Sequence, residues 1–382
     1  MAYIRIICFL VALVYGLLLL LYRRGWRRQA ESAAASGFCP GTMISIIIPA
    51  RNEAQAIGAC IRSIQMQQYP PHLYEVIVVD DYSEDDTAAV VAAFDDPRIR
   101  CIRLADYLAP GEAVVSYKKK ALAAGIAQGR GALIVTTDAD CVAQADWLRN
   151  IAALYEQQQP VMIIAPVDFT SDGSAVQLFQ SLDFMTMQGI TVAAYRLRLG
   201  SMSNGANLAF SRAAFAQVGG YAGTEHLASG DDYLLTVKMQ AAFPGRVACL
   251  KSRAAIVKTT PQPGWRSFLQ QRIRWASKSG KYKDTRLTLC LLLVYLLNLS
   301  LAAVAVAAVF DRAALVLLMG MLAIKLCAEL CFLWPVSGFF GKRRQLWWLL
   351  PFQPLHILYI VTAGFLGFAG VYRWKGRKIY GK

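Results

Sequence analysis

Two aspartates one residue apart, Asp138 and Asp140, follow directly on the run Ala132-Leu-Ile-Val-Thr-Thr137. Such a run reads as a buried parallel strand, and open α/β sheets take their ligands beyond the carboxyl ends of their strands. Two carboxylates at that mouth can hold a divalent cation, Mg2+ or Mn2+, against a diphosphate, because hard cations prefer oxygen donors. The chemistry this suggests is departure of a nucleotide from an activated donor, with the cation offsetting the charge that leaves. A loop-capping pair is the plainer alternative.

Other polar groups fall where the same ligand would pass. Asp81 follows the run Val76-Ile-Val-Val79 and can accept from a uracil N–H or from ribose hydroxyls, unless it serves only an Asx turn or helix cap ahead of Glu84. Lys118 opens the run Lys118-Lys-Lys120 at a helix start. Positive charge there opposes the helix dipole, so either a diphosphate sits nearby or the run is a solvated face. In the segment 200–212, Gly205 allows close backbone approach, and Asn204 or Asn207 can serve sugar hydroxyls, an ordinary loop being the alternative. Ser229-Gly230-Asp231-Asp232 precedes a helix; capping uses one acid, which leaves Asp232 as the expected general base for an acceptor hydroxyl, with Asp231 aiding its placement.

Gln271-Arg-Ile-Arg274-Trp275 lies within a basic amphipathic stretch, Trp265 to Tyr282. One reading is an interfacial helix with snorkelling arginines. The other sets Arg274 on a leaving diphosphate and Trp275 against an acceptor sugar.

The elements that must position these groups alternate from residue 41 onward. Strands are expected over Met43–Ile48 (stopped by Pro49), Val76–Val79, Ile99–Leu104 and Ala132–Thr136. Helices are expected over Glu53–Gln67, Asp85–Phe94 and Lys118–Ala127. Strands apolar throughout imply a mostly parallel sheet covered by helices on both faces. Three polar clusters, Ala50-Arg-Asn-Glu53, Asp80-Asp-Tyr-Ser83 and Asp138-Ala-Asp140, then share one crevice. No Gly-x-Gly-x-x-Gly follows the first strand and no Gly-x-x-x-x-Gly-Lys-Ser/Thr occurs, which speaks against a dinucleotide fold and a P-loop.

The flanks are different in kind. Ile4 to Tyr22 is long enough to cross a bilayer of ~30 Å and is followed by Arg23, Arg24, Arg27 and Arg28, so it reads as a retained signal-anchor with the later residues in the cytoplasm, a signal peptide cleaved at Ala33-Ala34-Ala35 being the alternative. Leu287 to Phe310 and Ala313 to Pro335 read as a membrane hairpin turning at Asp311-Arg312. A third stretch, Leu346 to Val371, is broken early by Pro351 and Pro354. A full third crossing would put Arg373, Lys375, Arg377 and Lys378 outside, against the positive-inside bias. The segment is therefore either re-entrant or interfacial, or an exception to that rule.

Of the formal charge of +15, residues 1–40 hold +4 and residues 286–382 hold +9, leaving about +2 for the middle. The basic balance belongs to the membrane flanks and requires no nucleic acid as a partner. The nine cysteines form no Cys-x-x-Cys, and the three histidines, His72, His226 and His356, do not group with them at metal-ligand spacing, so free thiols are expected. The chain thus divides into an N-terminal membrane helix with basic linker (1–40), a catalytic α/β domain (41–264), an amphipathic helix (265–286) and a C-terminal membrane region with a basic tail (287–382).

Taken in order, Ile46-Ile-Ile-Pro-Ala-Arg-Asn-Glu53, Val78-Val-Asp-Asp-Tyr-Ser83, Lys118-x-x-Ala-Leu-x-x-Gly125, Asp138-x-Asp140, the 200–212 segment, Asp231-Asp232 and Gln271-x-x-Arg274-Trp275 resemble a family 2 membrane glycosyltransferase with a GT-A domain. The membrane flanks are similar to those of cellulose-synthase-like and ceramide-glucosyltransferase-like members. The resemblance implies inverting transfer from a nucleotide sugar, such as a UDP-sugar, to a lipid or glycan hydroxyl at the cytoplasmic face of a bacterial inner membrane. It assigns Pro49, Arg51, Glu53, Asp81, Lys118, Asp138 and Arg274 to the donor, and Asp138 with Asp140 to the metal. Asp232 with Asp231 falls to base catalysis, and Asn204, Gly205, Asn207, Gln271 and Trp275 to the sugar or acceptor. Two departures stand out: Asp231 where many members have Glu, and Tyr117 where Gly is common. A processive polysaccharide synthase keeps the same chemistry; a membrane nucleotidyltransferase would use the same acids but release pyrophosphate; a non-catalytic membrane interaction protein would use none of them.

Overall fold

The structure, a computed structural model, describes all residues except 1, 110–113, 201, 226, 228–229, 278–283, 370, 375–376 and 381–382. Ser229 and His226, the end of the expected amphipathic stretch at 278–282, and Lys375 of the basic tail lie outside the described residues. The chain forms two compact units, one of Ala30–Asp168 with Met202–Thr260 and one of Met1–Gln29, Phe169–Ser201 and Pro261–Lys382. The expected partition differs, because residues 169–201 group with the apolar ends and not with the α/β domain.

Numbered along the whole chain, the α/β unit contains β1 (Ile44–Ala50), α2 (Ile57–Gln65), β2 (Tyr74–Asp80), α3 (Thr87–Ala92), β3 (Ile99–Arg103), α4 (Tyr117–Gln128), β4 (Leu133–Thr136), β5 (Val142–Ala143), α5 (Trp147–Gln158), β6 (Met162–Ile164) and β7 (Val167–Phe169). It continues with β8 (Leu208–Ser211), α7 (Arg212–Gln217), α8 (Asp231–Ala242), β9 (Val247–Cys249) and β10 (Val257–Thr259). The main sheet runs β3-β2-β1-β4-β8-β6-β9, and a smaller one runs β5-β10-β7.

The half carrying the three polar clusters is parallel, as the apolar strands predict: β2 lies parallel to β1 and β3, and β1 parallel to β4. The sheet as a whole is mixed, because β8 runs antiparallel to both β4 and β6. Pro49 does not stop the first strand, which continues to Ala50 opposite Asp80. The Ile47 carbonyl faces the β4 side and accepts from Thr137 N–H, so the missing N–H of Pro49, two residues on, faces the same side beyond the last β1–β4 pair, Ile47 with Thr136. No ladder bond is lost there. Helix α2 starts four residues later than expected because the chain from Arg51 to Ala54 bonds to the loop after β2.

Helix α4 lies so close to the sheet that a Cβ on Gly125 would come within 2.6 Å of Ile47 Cγ2 and 2.9 Å of Val79 Cγ2. That approach sets the height of the whole helix, whose first turn carries Lys118.

The other unit holds α1 (Ala2–Arg28), α6 (Ala175–Leu197), α9 (Trp265–Ala276), α10 (Thr285–Ala307), α11 (Arg312–Phe339), α12 (Gln353–Ala369) and a terminal hairpin of β11 (Val371–Trp374) and β12 (Arg377–Tyr380). Among the described residues three helices, α1, α10 and α11, are long and apolar enough to cross a membrane, with mean hydropathy 2.7, 2.5 and 2.2. The hairpin turn is where the charges predict it, with Asp311 capping α11 by accepting from Ala313 N–H at 2.9 Å and pairing with Arg5 near the start of α1. Helix α12 has 17 residues, a rise of about 25 Å at 1.5 Å each, shorter than the other three. Pro354 sits in its first turn, where a proline is tolerated. Between these helices Lys325 donates to Glu329 Oε1 and to Gln353 Oε1, each at 2.6 Å, and Tyr15 donates to Glu329 at 2.9 Å. This polar cluster ties α1, α11 and α12 together.

Alanine at position 125 would gain about 1 kcal/mol of helix propensity, but overpacking against a strand core costs about 1–3 kcal/mol. Gly125→Ala is therefore expected to lower the thermal unfolding midpoint of the detergent-solubilised protein; an unchanged or raised midpoint would show that α4 does not rest on the sheet as described.

Candidate active site

The carboxyl ends of β1, β2 and β4 each release a loop bearing acidic or basic groups. After β1 and β2 the loops are laced together. Arg51 Nη1 donates to the carbonyls of Asp81 (2.9 Å) and Tyr82 (3.1 Å), Ser83 Oγ accepts from Asn52 N–H (3.0 Å), and Asn52 Oδ1 accepts from Glu84 N–H (2.8 Å). Asn52 and Tyr82 have φ of 52° and 54°, a left-handed conformation uncommon outside glycine and recurrent at functional sites. Asp81 forms the buried floor between these loops and its N–H continues the ladder to Ala50 O. Pro49 is half-buried at the end of β1. Arg51 thus ties the two loops together.

The loop after β4 carries the aspartate pair. Lys118 Nζ donates to Asp138 Oδ1 at 2.6 Å and lies 3.8 Å from Asp231 Oδ2. Burial alone would push the Lys118 ammonium down, but the charges of Asp138, Asp231 and Asp232 override it and hold it well above the ordinary lysine range. The Lys118 ammonium thus faces carboxylates of the chain itself. Asp140 Oδ2 accepts from Thr259 Oγ1 at 3.1 Å. Burial, reinforced by the negative charges of Asp138 and Glu53, pushes its carboxyl up to about 6.

Carboxylate oxygens of Asp138 and Asp140 and the Cys141 sulfur all lie within 4.8 Å of one another. Burial and the two carboxylates hold the Cys141 thiol well above its ordinary range, and the same causes raise that of Cys60, which donates to the Asp138 carbonyl. Both sulfurs are neutral thiols, so the donors available to a cation are two hard carboxylates whose mutual repulsion a divalent ion would relieve. The residues present therefore fit Mg2+ or Mn2+. All nine cysteines are free, as their scattered spacing implies.

The second acidic pair opens α8 after Gly230, whose φ of 87° turns the chain into the helix. Buried Asp231 faces Lys118. Asp232 Oδ1 accepts from Tyr233 N–H (2.7 Å) and Oδ2 from Gly205 N–H (3.3 Å). A Cβ on Gly205 would lie 3.2 Å from Asp231 Oδ2 and 3.7 Å from Lys118 Nζ, so a side chain there would press on the Asp231 carboxylate. Lys118, Asp138, Asp231, Asp232 and Gly205 are therefore brought together, with Asp140 adjoining Asp138 and Glu53 acting on Asp140.

Of the expected sugar ligands, Asn207 is placed differently. Asn207 is fully buried, donating to the carbonyls of Pro166 (2.7 Å) and Ala255 (2.8 Å) and accepting from Trp147 Nε1 (2.8 Å). Its amide holds the loop in place, and its full burial keeps it from a sugar. Asn204 accepts from Ala206 N–H at 3.0 Å and caps the short turn that follows.

Thr259, which holds Asp140, and Lys119 escaped the sequence reading. Lys119 is buried and donates to the carbonyls of Thr224 (2.6 Å) and Leu227 (2.8 Å), tying the segment before α8 to α4. The lysine triplet signals charge but not which lysine turns inward. Gln271, Arg274 and Trp275 lie on α9, in the membrane-rich unit, and the most buried member of that motif is Arg272.

Comparison with known proteins identifies relatives along most of the chain. Residues 45–219 match the family described as glycosyl transferase family 2, and residues 133–366 match glycosyl transferase family group 2. Glycosyltransferase AglE of Haloferax volcanii is 30% identical over 147 residues, 38% of this chain and 46% of that protein. An N-acetylglucosaminyltransferase of Rhizobium meliloti is 28% identical over 298 residues, 73% of this chain and 66% of that protein. The chain thus spans about half to two thirds of the length of these relatives. Among solved structures, the mannosyltransferase PcManGT from Pyrobaculum calidifontis, in complex with GDP-Man and Mn2+, superimposes with a TM-score of 0.61 over 95% of this chain and 98% of that one at 18% identity. That likeness establishes a GT-A-like α/β fold.

The raised Asp140 carboxyl gives a signed pH dependence. In the folded protein it holds its proton to about pH 6, whereas an unfolded aspartate releases it near 3.8. Its contribution to stability in metal-free buffer therefore falls as pH rises between about 4 and 6 and is level above that. Asp140→Asn should unfold at a higher temperature than the unmodified protein at pH 7 and at nearly the same temperature at pH 4. A stability difference of equal size at both pH values would contradict the assignment.

Proposed function

Starting from the chain's membership of glycosyl transferase family group 2, we propose that it is a membrane-bound inverting glycosyltransferase. On this reading it moves a sugar from a nucleoside-diphosphate donor, of the UDP-sugar kind, to a hydroxyl of a lipid or short glycan. The observation that carries the reading is the cluster of Asp138, Asp140, Asp231 and Asp232 around Lys118 at the carboxyl ends of the parallel strands. Such a cluster is costly to fold and is suited to a cation and a diphosphate.

In this account Asp81 receives the base or ribose, with Pro49, Arg51 and Glu53 shaping the nucleotide end. Asp138 and Asp140 would hold Mg2+ or Mn2+, which when bound offsets charge on the leaving diphosphate. Lys118 neutralises Asp138 and Asp231 in the donor-free protein, and the incoming diphosphate offers it an alternative partner. Asp232 accepts the proton of the acceptor hydroxyl as its oxygen attacks the anomeric carbon. The bond to the diphosphate oxygen breaks on the opposite face, so configuration inverts and nucleoside diphosphate leaves. Asp231 and the Gly205 N–H orient Asp232; Asn204 and Gly205 line the sugar end. Arg274 is assigned to the departing diphosphate, and Gln271 with Trp275 to the acceptor. The spanning helices support an acceptor at the membrane surface. The arginines at the C-terminal end of α1 support a cytoplasmic site by the positive-inside bias, consistent with a bacterial inner membrane.

The test is to incubate membranes containing the protein with a panel of nucleotide sugars and identify both products by mass spectrometry. Nucleoside diphosphate and a singly glycosylated acceptor are expected. Asp140→Ala and Asp232→Asn should each lower turnover by about 10²–10⁴-fold while the protein still inserts and folds. Release of pyrophosphate would point to a nucleotidyltransferase, a product ladder to a processive synthase, and unchanged release in both variants would remove the proposed roles.

A further inference from the structure

We propose that Arg272 is a positioning residue for acceptor use, setting Gln271 and Trp275 through one guanidinium that Asp183 and Tyr359 lock in place. The inference rests on the reading above that Gln271 and Trp275 meet the acceptor. Arg272 is buried on α9, and its Nε and Nη2 donate to Asp183 Oδ2 at 2.9 and 2.6 Å. Tyr359 of α12 donates to the other carboxylate oxygen of Asp183, so the anion is held from two helices. The remaining arm of the fork, Nη1, donates to Gln271 Oε1 at 2.6 Å. The flat face of the same guanidinium lies over the Trp275 ring, 4.2 Å from its centroid, and 4.6 Å from that of Phe268. Phe184 of α6 stands 6.5 Å from Trp275.

One planar group therefore sets an amide by hydrogen bonding and an indole by stacking. A lysine has neither the fork nor the flat face. The cost of this arrangement argues that stability alone does not explain it. Desolvating an ion pair consumes most of its attraction, and apolar pairs of similar volume are commonly as stable or more so. What the ion pair supplies and an apolar pair does not is direction: the fork fixes the rotation of Arg272 about its own axis, and hence the two residues it touches.

The experiment compares Arg272→Lys, Arg272→Met and the double variant Arg272→Met with Asp183→Leu in the full-length protein in membranes. It measures nucleoside diphosphate release, glycosylated acceptor and thermal unfolding on the same samples. Arg272→Lys is expected to raise the acceptor KM about tenfold or more with donor KM within about twofold, and to increase the share of sugar lost to water. The double variant is expected to regain the unfolding midpoint lost in Arg272→Met without regaining acceptor KM or the transferred share. Unchanged acceptor KM and partition in folded Arg272→Lys, or recovery of both in the double variant, would reduce Arg272 to a structural role and overturn the inference. Absence of nucleoside diphosphate release from the unmodified protein with every donor would instead overturn the glycosyltransferase reading and this inference with it.

Discussion

One ammonium group, that of Lys118, lets four aspartates share the end of a sheet. Its bond to Asp138 and its proximity to Asp231 join the loop after β4 to the start of α8, elements more than ninety residues apart in the chain. Without a cation at that point the acids would repel one another across a partly buried space. Gly125 sets the height of α4, Lys119 draws in the segment before α8, and Gly205 admits the neighbouring backbone. Each of these features serves the placement of charge more than the filling of a core. Burial first, and then the charges of Asp138 and Glu53, raise the Asp140 carboxyl, and a divalent cation would offset the negative charge there.

Much of this was legible in the residue order because strands buried on both faces leave a continuous apolar signature, and because ligand crevices in such sheets lie at strand ends. The runs ending at Ala50, Asp80 and Thr136 could therefore be placed, and with them Asp81, Asp138 and Asp140. The antiparallel β8 was not legible, since its four residues, Leu208–Ser211, read as apolar in either direction. Asn207 illustrates a different limit. A polar residue in a glycine-rich loop suggests a ligand contact, but the fold buries this amide against Pro166, Ala255 and Trp147. Asp183 and Tyr359 escaped for the same reason, lying 89 and 87 positions from Arg272 in opposite directions along the chain.

The membrane-rich unit follows a comparable economy of polar groups. Its helices are apolar, yet Lys325, Glu329, Gln353 and Tyr15 satisfy one another among them, and Arg272, Asp183 and Tyr359 do so near α9. Isolated charges there would be prohibitive, whereas closed networks are tolerated and fix which helix faces meet. The polar pairing of α12 with α11 through Gln353 explains how a helix of 17 residues keeps its place beside longer ones.

The central claim, that the acidic cluster exists to hold a cation against a diphosphate, is tested most directly by equilibrium binding of UDP and GDP to the purified protein with and without Mn2+. The account predicts that Mn2+ tightens binding of the preferred nucleotide by about tenfold or more, roughly 1.4 kcal/mol, and that the gain disappears in Asp140→Asn. Equal affinity with and without Mn2+, or a gain that persists in Asp140→Asn, would contradict it.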